Sequence, residues 1–237
     1  MTRSLRKALQ TRFEKVKKVA RDSYLVEDFL SPEEAVKVLE KVDGEVEYRS
    51  RDDPSLQFKI FGHTRQMPRD KAFYGQVEVD LNQPPEQQRV EPFYKYAKDV
   101  PPVDCWFGMH LETMADQIQE SSGQACNHVV VNQYRSGDDY IGDHRDKDAS
   151  FEPGSSVMTV SLGAERMFRL KKFKGRDAGE VIKFTLPVGS LFVLGPKTNA
   201  KWKHSILKSK QAMGRRVSLT YRAIAHRRSS RLEEKLD

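Results

Sequence analysis

Seven short runs rich in β-branched and alternating apolar residues fill the second half of this chain. Turns containing Gly, Pro, Asp and Lys separate them, and the runs are HVVVNQY, SVMTVSLG, MFRLKKF, EVIKFTL, GSLFVLG, WKHSIL and RRVSLTYRAI. Runs of this length with a two-residue period are typical of half-buried strands. Many short strands joined by such turns predict a β-sandwich or jelly roll. The length of 237 residues suits one domain of this kind.

The first half of the chain predicts helices that support this β-rich part. In YLVEDFLSPEEAVKVLEKV a short strand precedes a helix, because Ser31 can cap the helix and Glu34 completes a capping box. In MHLETMADQIQESSG the apolar residues Leu111, Met114 and Ile118 recur at helical spacing. Between these helices LQFKI alternates as a strand does, and FGH interrupts it, which predicts a hairpin or loop tip.

Charge and cysteine content narrow the function classes. Lys and Arg number 41 against 34 Asp and Glu, so the net charge is +7, and the pI of about 9.3 favours polyanionic partners such as nucleic acid. Cys105 and Cys126 form no CxxC pair, which indicates free thiols in a reducing compartment. No apolar run approaches the ~20 residues that cross a bilayer, so no membrane partner is expected.

Charged segments at both ends predict the domain boundaries. Residues 1–22 are rich in Lys and Arg and read as a basic extension: a solvated helix, a DNA-contacting arm, or an address for the nucleus or an organelle. Residues 226–237 read as a charged tail. The domain is therefore expected over residues 23–225.

The stretch GDHRDKD places His144 and Asp146 two positions apart. A kinase catalytic loop would need an asparagine five residues after the aspartate, where this chain has Phe151. A polar turn and a metal site remain as interpretations. Two histidines and one carboxylate describe a non-haem Fe(II) oxygenase site, and His204 in KWKHSIL can supply the third ligand. The two-residue pair alone is a weak signal.

The run RRVSLTYR carries a second polar pattern. Strand alternation puts Arg216, Ser218, Thr220 and Arg222 on one face, and Val217, Leu219 and Tyr221 on the opposite face, which belongs in a core. Two guanidinium groups on one face suit a small dicarboxylate, although the same pattern also fits a solvated strand face. Asn132 and Tyr134 share a parity on HVVVNQY and can complete such a pocket.

These pieces together resemble the AlkB family of Fe(II)/2-oxoglutarate dioxygenases. NQY, HRD, the histidine of WKHS and RxSxTxR stand in the family's order and spacing. FGHTRQMPR followed by YG, YRSGDDYIGDHRD, EPGS, SLGAERMF and RRVSLTYR are similar to the duplex-DNA repair branch, the AlkB homologue 2 type. The resemblance covers about residues 55–225. It implies an α+β, mainly β fold: a double-stranded β-helix (jelly roll) with supporting N-terminal helices and a nucleotide-recognition hairpin.

The resemblance also implies a set of ligands for the cofactors. His144, Asp146 and His204 would hold Fe(II), with 2-oxoglutarate as co-substrate, O2 as oxidant and ascorbate as the reductant in assays. The implied contacts to 2-oxoglutarate are Asn132, Tyr134, Arg216, Ser218, Thr220 and Arg222. Ser218 departs from the family's asparagine, and the loss of one hydrogen bond would weaken co-substrate binding by about 1 kcal/mol.

The resemblance implies a finger that enters the DNA stack. Ile60, Phe61, Gly62 and His63 match that finger, and apolar wedges of this kind pry bases apart. The alternative for Ile60 and Phe61 is ordinary core packing. Arg69 matches an arginine that contacts the opposite strand.

Four further residues are implied at the damaged base. Tyr94 and Tyr96 would frame the flipped base, an assignment that requires an insertion around LNQPPEQQR. Lys147 stands where the duplex-repair branch has an acidic residue, and Asp148 is the remaining acidic candidate. Because of this departure at Lys147, choice of base or turnover is expected to differ from that of the duplex-repair branch.

The implied function is removal of alkyl groups from bases such as 1-methyladenine and 3-methylcytosine, with release of formaldehyde, succinate and CO2. The implied partner is alkylated DNA, preferably duplex, with RNA as a secondary substrate. The enzyme is expected to be a monomer in the nucleus, with an organelle as the alternative. Two alternatives stay open: the same chemistry on RNA, single-stranded nucleic acid or protein, and a non-catalytic nucleic-acid-binding jelly roll.

Overall fold

A computed structural model describes residues 2–50, 52–60, 63–84, 89–92, 103–105, 110–210 and 214–228. These residues form four α-helices and seventeen strands. The helices are α1 (Thr2–Arg12), α2 (Pro32–Glu45), α3 (His110–Ser122) and α4 (Pro196–Asn199). The strands are β1 (Val16–Ala20), β2 (Ser23–Val26), β3 (Phe58–Ile60), β4 (His63–Arg65), β5 (Asp70–Gly75), β6 (Glu78–Val79), β7 (Arg89–Pro92), β8 (Asp104–Cys105), β9 (His128–Tyr134), β10 (Ile141–His144), β11 (Val157–Gly163), β12 (Arg166–Lys172), β13 (Val181–Leu186), β14 (Leu191–Leu194), β15 (Trp202–Ile206), β16 (Arg216–Arg222) and β17 (His226–Arg228).

Two sheets carry the fold. The larger has eight strands in the order β1-β2-β14-β11-β16-β9-β5-β8, and the smaller has four in the order β10-β15-β12-β13. Neighbouring strands are antiparallel except for the parallel pair β5 and β8. Residues of both sheets line one cavity, as in a jelly roll. All seven strands expected in the second half of the sequence are present, so the mainly β fold is confirmed.

The outer face of the larger sheet packs against helices. Val217, Leu219 and Tyr221 of β16 are fully buried in one core together with Leu111 and Ile118 of α3. This is the apolar face that strand alternation predicts for RRVSLTYR. The capping box of α2 is also confirmed, because the Ser31 side chain accepts the Glu34 N–H and the Glu34 carboxylate accepts the Ser31 N–H.

The N-terminal segment belongs to the folded domain, which corrects the predicted boundary at residue 22. Leu9 of α1 is fully buried in the main core. Strand β1 pairs with β2 in the eight-stranded sheet, with Val16 opposite Val26. The predicted boundary therefore falls inside a β-hairpin. The C-terminal boundary shifts as well, because β17 pairs with β7 and puts residues 226–228 in a three-stranded sheet.

The finger-like segment is a hairpin, as the sequence predicts. Strands β3 and β4 are antiparallel, with Ile60 opposite His63. Phe61 and Gly62 stand between these strands in the sequence and lie outside the described residues. In the part of the chain that the structure describes, no helix is both long and apolar enough to cross a bilayer. Cys126 is a buried free thiol, and the side chain of Cys105 lies outside the described residues.

Candidate metal and co-substrate site

Strand pairing brings the three predicted metal ligands together. His144 ends β10 and lies directly opposite His204 of β15, and their ring centroids are 4.1 Å apart. Asp146 follows two residues after His144, with its Oδ1 atom 3.9 Å from His144 Nε2. One ligand atom from each residue lies within 4.8 Å of the others. Two imidazoles and one carboxylate at this spacing can hold Fe(II) and leave coordination positions open.

Both histidines are kept in the neutral form that binds a metal. Burial, with a contribution from His204, lowers the pKa of His144 to about 3. His144 Nδ1 lies 2.9 Å from the Gly142 carbonyl oxygen. Because that oxygen can only accept, Nδ1 carries the proton of the neutral ring and Nε2 is unprotonated. Burial also lowers the pKa of His204, and among the described residues its Nδ1 has no hydrogen-bond partner. Neutral imidazole nitrogens of this kind fit the ligand set of a metal site.

Asp146 is held as a carboxylate although it is buried. Its side chain is 7% exposed, and its Oδ2 atom lies 3.3 Å from Arg222 Nη2. Burial raises the pKa of Asp146, but Arg222 and the two histidines lower it more strongly, to about 2. The group is therefore ionised at neutral pH, as a metal ligand must be.

The six predicted co-substrate residues line the same cavity as the metal ligands. Ser218 lies opposite Asn132, and Arg216 lies opposite Tyr134, across β16 and β9. The cavity has a volume of about 520 Å³, and its lining includes Asn132, Tyr134, Arg216, Ser218, Thr220 and Arg222 together with His144, Asp146 and His204. The six co-substrate residues thus lie on the cavity side of β9 and β16, as the parity argument predicts.

Arg216 makes the buried end of the cavity suited to an anion. The residue is 1% exposed, and its Nη2 donates to Ser161 Oγ at 2.9 Å. Its Nε and Nη1 atoms have no hydrogen-bond partner among the described residues. Burial lowers the pKa of Arg216 to about 10, so the guanidinium still carries its charge at neutral pH. A buried cation with two unmatched donors is costly unless a ligand carboxylate pairs with it.

Two further basic residues line the cavity wall, one on β5 and one directly before it. Lys71 lies opposite Asn132 and is 2% exposed; burial, then Arg69 and Arg222, hold its pKa well below the usual value. Lys71 is not among the residues predicted from the sequence, although its spacing from Arg69 puts both on one strand parity. Arg69 is 3% exposed and donates from Nε to Asn132 Oδ1 at 3.0 Å. This inward position differs from the implied contact with an opposite DNA strand.

The open side of the cavity carries basic residues. Arg145 and Lys147 are exposed and line the cavity. Arg145 also lies over the ring of Phe173 at 5.8 Å from its centroid, and Lys203 lies over the same ring at 5.8 Å. Phe173 itself is 40% exposed. We call Arg145, Lys147, Phe173 and Lys203 the basic rim.

Most residues predicted to touch the base fall where no geometry is described. His63 is exposed on β4. The side chains of Ile60 and Asp148, and all of Phe61, Gly62, Tyr94 and Tyr96, lie outside the described residues. The base-contacting roles therefore stay predictions.

Comparison with known proteins places this site in a family. A model described as "2OG-Fe(II) oxygenase superfamily" matches residues 22–222. "DNA oxidative demethylase ALKBH2" of Mus musculus is 34% identical over 196 residues, which are 81% of this chain and 75% of that protein. The protein of the same name from Homo sapiens is 31% identical, over 81% of this chain and 69% of its own length.

Two more distant matches agree with this. "Alpha-ketoglutarate-dependent dioxygenase alkB homolog 3" of Bos taurus is 28% identical over 83% of this chain and 64% of its own length. Among solved structures, "The structure of OsALKBH1" matches with a TM-score of 0.56 and 16% identity over 88% of this chain and 100% of that chain, which supports the fold alone. The chain therefore belongs to the 2OG-Fe(II) oxygenase superfamily as an AlkB-family dioxygenase similar to ALKBH2, and it uses Fe(II), 2-oxoglutarate and O2.

Proposed function

We propose that this protein is a DNA oxidative demethylase that repairs N-alkylated bases, with 1-methyladenine and 3-methylcytosine as substrates. The observation that carries the proposal is the single cavity that joins the His144, Asp146 and His204 group to the buried guanidinium of Arg216. Relatives with 31% and 34% identity over 81% of the chain carry the name DNA oxidative demethylase. The net charge of +7 suits a polyanionic substrate.

In this proposal the protein positions the reactants through its own charged groups. His144, Asp146 and His204 would hold Fe(II). With 2-oxoglutarate and O2, the bound metal would supply the oxidation of an N-methyl group, with release of formaldehyde, succinate and CO2. Arg216 would pair with a carboxylate of 2-oxoglutarate at the buried end of the cavity. Arg222 offsets the charge of Asp146. The remaining hydrogen bonds to the co-substrate would come from the cavity residues Asn132, Tyr134, Ser218 and Thr220.

The DNA would approach from the basic rim. Arg145, Lys147 and Lys203 are exposed cations, and phosphate contacts of this kind position a nucleic acid independently of its sequence. Lys147 and Asp148 follow the metal ligand Asp146 directly and are the candidates for base choice. The target methyl lies on the pairing edge of the base, so the base must leave the stack at a cost of a few kcal/mol.

The hairpin of β3 and β4 is the proposed finger for duplex DNA. Ile60, Phe61, Gly62 and His63 would fill the gap that the flipped base leaves, and Tyr94 and Tyr96 would stack on the base itself. Ile60 lies opposite His63 in the hairpin, and residues 61 and 62 stand between them in the sequence. Arg69 is proposed as a cavity residue, because its side chain is buried against Asn132. A monomer suffices for this arrangement.

The function is tested by formaldehyde and succinate release from matched single-stranded and duplex oligonucleotides that carry one 1-methyladenine, with Fe(II), 2-oxoglutarate and ascorbate. We expect turnover on both, and none with Asp146→Ala. Asp116→Ala removes an exposed carboxylate of α3 and should keep wild-type activity. Turnover on the single strand alone moves the substrate toward RNA or exposed DNA, and no turnover on either overturns the proposal.

The finger is tested separately with the double variant Ile60→Ala/Phe61→Ala. A loss confined to the duplex substrate supports the finger, while undiminished activity on duplex rejects it. The control is Leu81→Ala, which removes a large apolar side chain that is 78% exposed.

A further inference from the structure

The four-residue helix α4 is capped by a residue far away in the sequence. Its N-cap is Gly195, which offers no side-chain hydrogen bond. The Asp22 carboxylate takes that role: it accepts the Lys197 N–H at 2.8 Å, the Thr198 N–H at 2.9 Å and the Thr198 hydroxyl at 2.6 Å. Asp22 is 2% exposed, and Thr198 is fully buried. The turn between β1 and β2 therefore fixes α4 in place.

Gly195 makes this cap sterically possible. A Cβ atom at this position would overlap the backbone oxygen and the carboxylate carbon of Asp22. The Gly195 N–H also donates to Ser23 Oγ at 3.1 Å. The start of α4 is thus held against residues 22 and 23 by four hydrogen bonds.

The last residue of α4 reaches the metal site. Asn199 is 2% exposed and brackets the main chain of Asp146: its Nδ2 donates to the Asp146 carbonyl at 3.0 Å, and its Oδ1 accepts the Asp146 N–H at 3.2 Å. Asp146 lies outside the regular strands, so its main chain has no ladder to fix it. The two hydrogen bonds from Asn199 fix the main chain of Asp146, and with it the position from which the carboxylate side chain extends.

We propose that Asn199, held through α4 by Asp22, is a positioning residue that sets the carboxylate of Asp146 for metal binding. The inference rests on the proposed assignment of Asp146 as an iron ligand. Partners that orient a ligand typically affect metal affinity by 10- to 100-fold. Asn199 contacts the main chain of the ligand, so we expect the lower end of that range.

The chain offers a matched control for the loss of such a bracket. Gln124 makes the same pair of bonds to Ser156, with Nε2 donating to the Ser156 carbonyl at 2.8 Å and Oε1 accepting the Ser156 N–H at 2.7 Å. Neither Gln124 nor Ser156 lines the cavity. Gln124→Ala therefore removes an equivalent pair of hydrogen bonds away from the metal.

The experiment measures Mn(II) binding to the metal-free full-length protein by calorimetry, with thermal unfolding of each metal-free variant recorded beside it. We expect Asn199→Ala to weaken Mn(II) binding about 10-fold, and Gln124→Ala to leave it unchanged even where its melting temperature falls as far. Asp22→Asn keeps one acceptor oxygen for α4, so its loss of affinity should be smaller than that of Asp22→Ala.

The outcomes separate this inference from the function. If the wild type binds Mn(II), Asp146→Ala does not, and Asn199→Ala binds as tightly as the wild type, the positioning role is overturned while the metal site stands. Equal losses in Asn199→Ala and Gln124→Ala would also overturn it, because they would reflect stability alone. If the wild type does not bind Mn(II), or Asp146→Ala binds it normally, both the metal site and the positioning role fall.

Discussion

The two ends of the cavity are built in different ways. Its floor is a paired surface: β9 and β16 present alternate side chains, and Arg216, Asn132 and Ser218 are each at most 8% exposed. Its mouth is made by connections and strand ends, where Arg145 and Lys147 are exposed. A floor fixed by strand register suits one small co-substrate. Exposed cations at the mouth suit the phosphates of a long DNA substrate, which can be bound at any sequence.

The strongest test of this contrast is at Arg216. Arg216→Met should weaken 2-oxoglutarate binding by about 3 kcal/mol, or about 100-fold, because a buried charge-assisted pair is lost. Binding is measured by calorimetry on the Mn(II)-loaded protein without oxygen, and DNA affinity should not change. The control is Arg215→Met, since the neighbouring Arg215 contacts Asp43 and Gln133 away from the cavity. An equal loss in both variants, or none in Arg216→Met, contradicts the assignment of the floor.

Acid should lower the free energy of unfolding of the metal-free protein, because the metal-site histidines His144 and His204 are held neutral in the folded state. The pKa of His144 falls from 6.5 to about 3 in the folded state, so between these values the unfolded chain binds the extra proton. The free energy of unfolding therefore has its full value above about pH 6.5 and decreases as the pH drops toward 3. Asp146, with its pKa lowered from 3.8 to about 2, adds a loss below 3.8.

Urea midpoints of the metal-free protein at pH 7.5 and 5.0 measure this effect. The wild type should unfold at a lower urea concentration at pH 5.0, and His144→Gln should show a smaller difference between the two pH values. An identical difference in the variant would mean that His144 is not kept neutral in the folded protein.

The residues of the floor can be predicted from the sequence because the alternation of side chains along a strand is a local property. In HVVVNQY and RRVSLTYR every second residue shares a face, so each sequence alone predicts which side chains lie together. Strands β9 and β16 have this alternation. Asn199 and Asp22 were missed because their hydrogen bonds join residues 53 and 176 positions apart. The predicted boundary at residue 22 was wrong because VKKVA is an edge strand with exposed lysines. Its basic composition is the same as that of a solvated arm, so the sequence alone does not reveal the strand pairing.

The mouth is tested by removing charge from the basic rim. Arg145→Ala/Lys203→Ala should weaken duplex DNA binding about 10-fold at moderate salt, and should reduce the slope of log affinity against log salt by about 1 per charge. Calorimetry should show unchanged 2-oxoglutarate binding. Lys18→Ala/Arg21→Ala removes the same net charge from exposed positions at β1. If that control lowers the slope equally, DNA binding depends on the net charge of the protein and not on contacts with the basic rim.

The smallest effect is expected within the floor, at Ser218. This residue is 5% exposed and lies between Asn132 and Ser161 in the strand register, on the wall that carries Arg216 and Arg222. Ser218→Asn lengthens the side chain and adds a hydrogen-bond donor, worth about 1 kcal/mol, so 2-oxoglutarate binding should tighten about 5-fold. Ser218→Ala should weaken it by less than Arg216→Met does, and both should keep the turnover at saturating co-substrate. Weaker binding in Ser218→Asn would mean that the longer side chain occupies space that the co-substrate needs. The floor of this cavity would then differ in shape from that of family members with asparagine at this position.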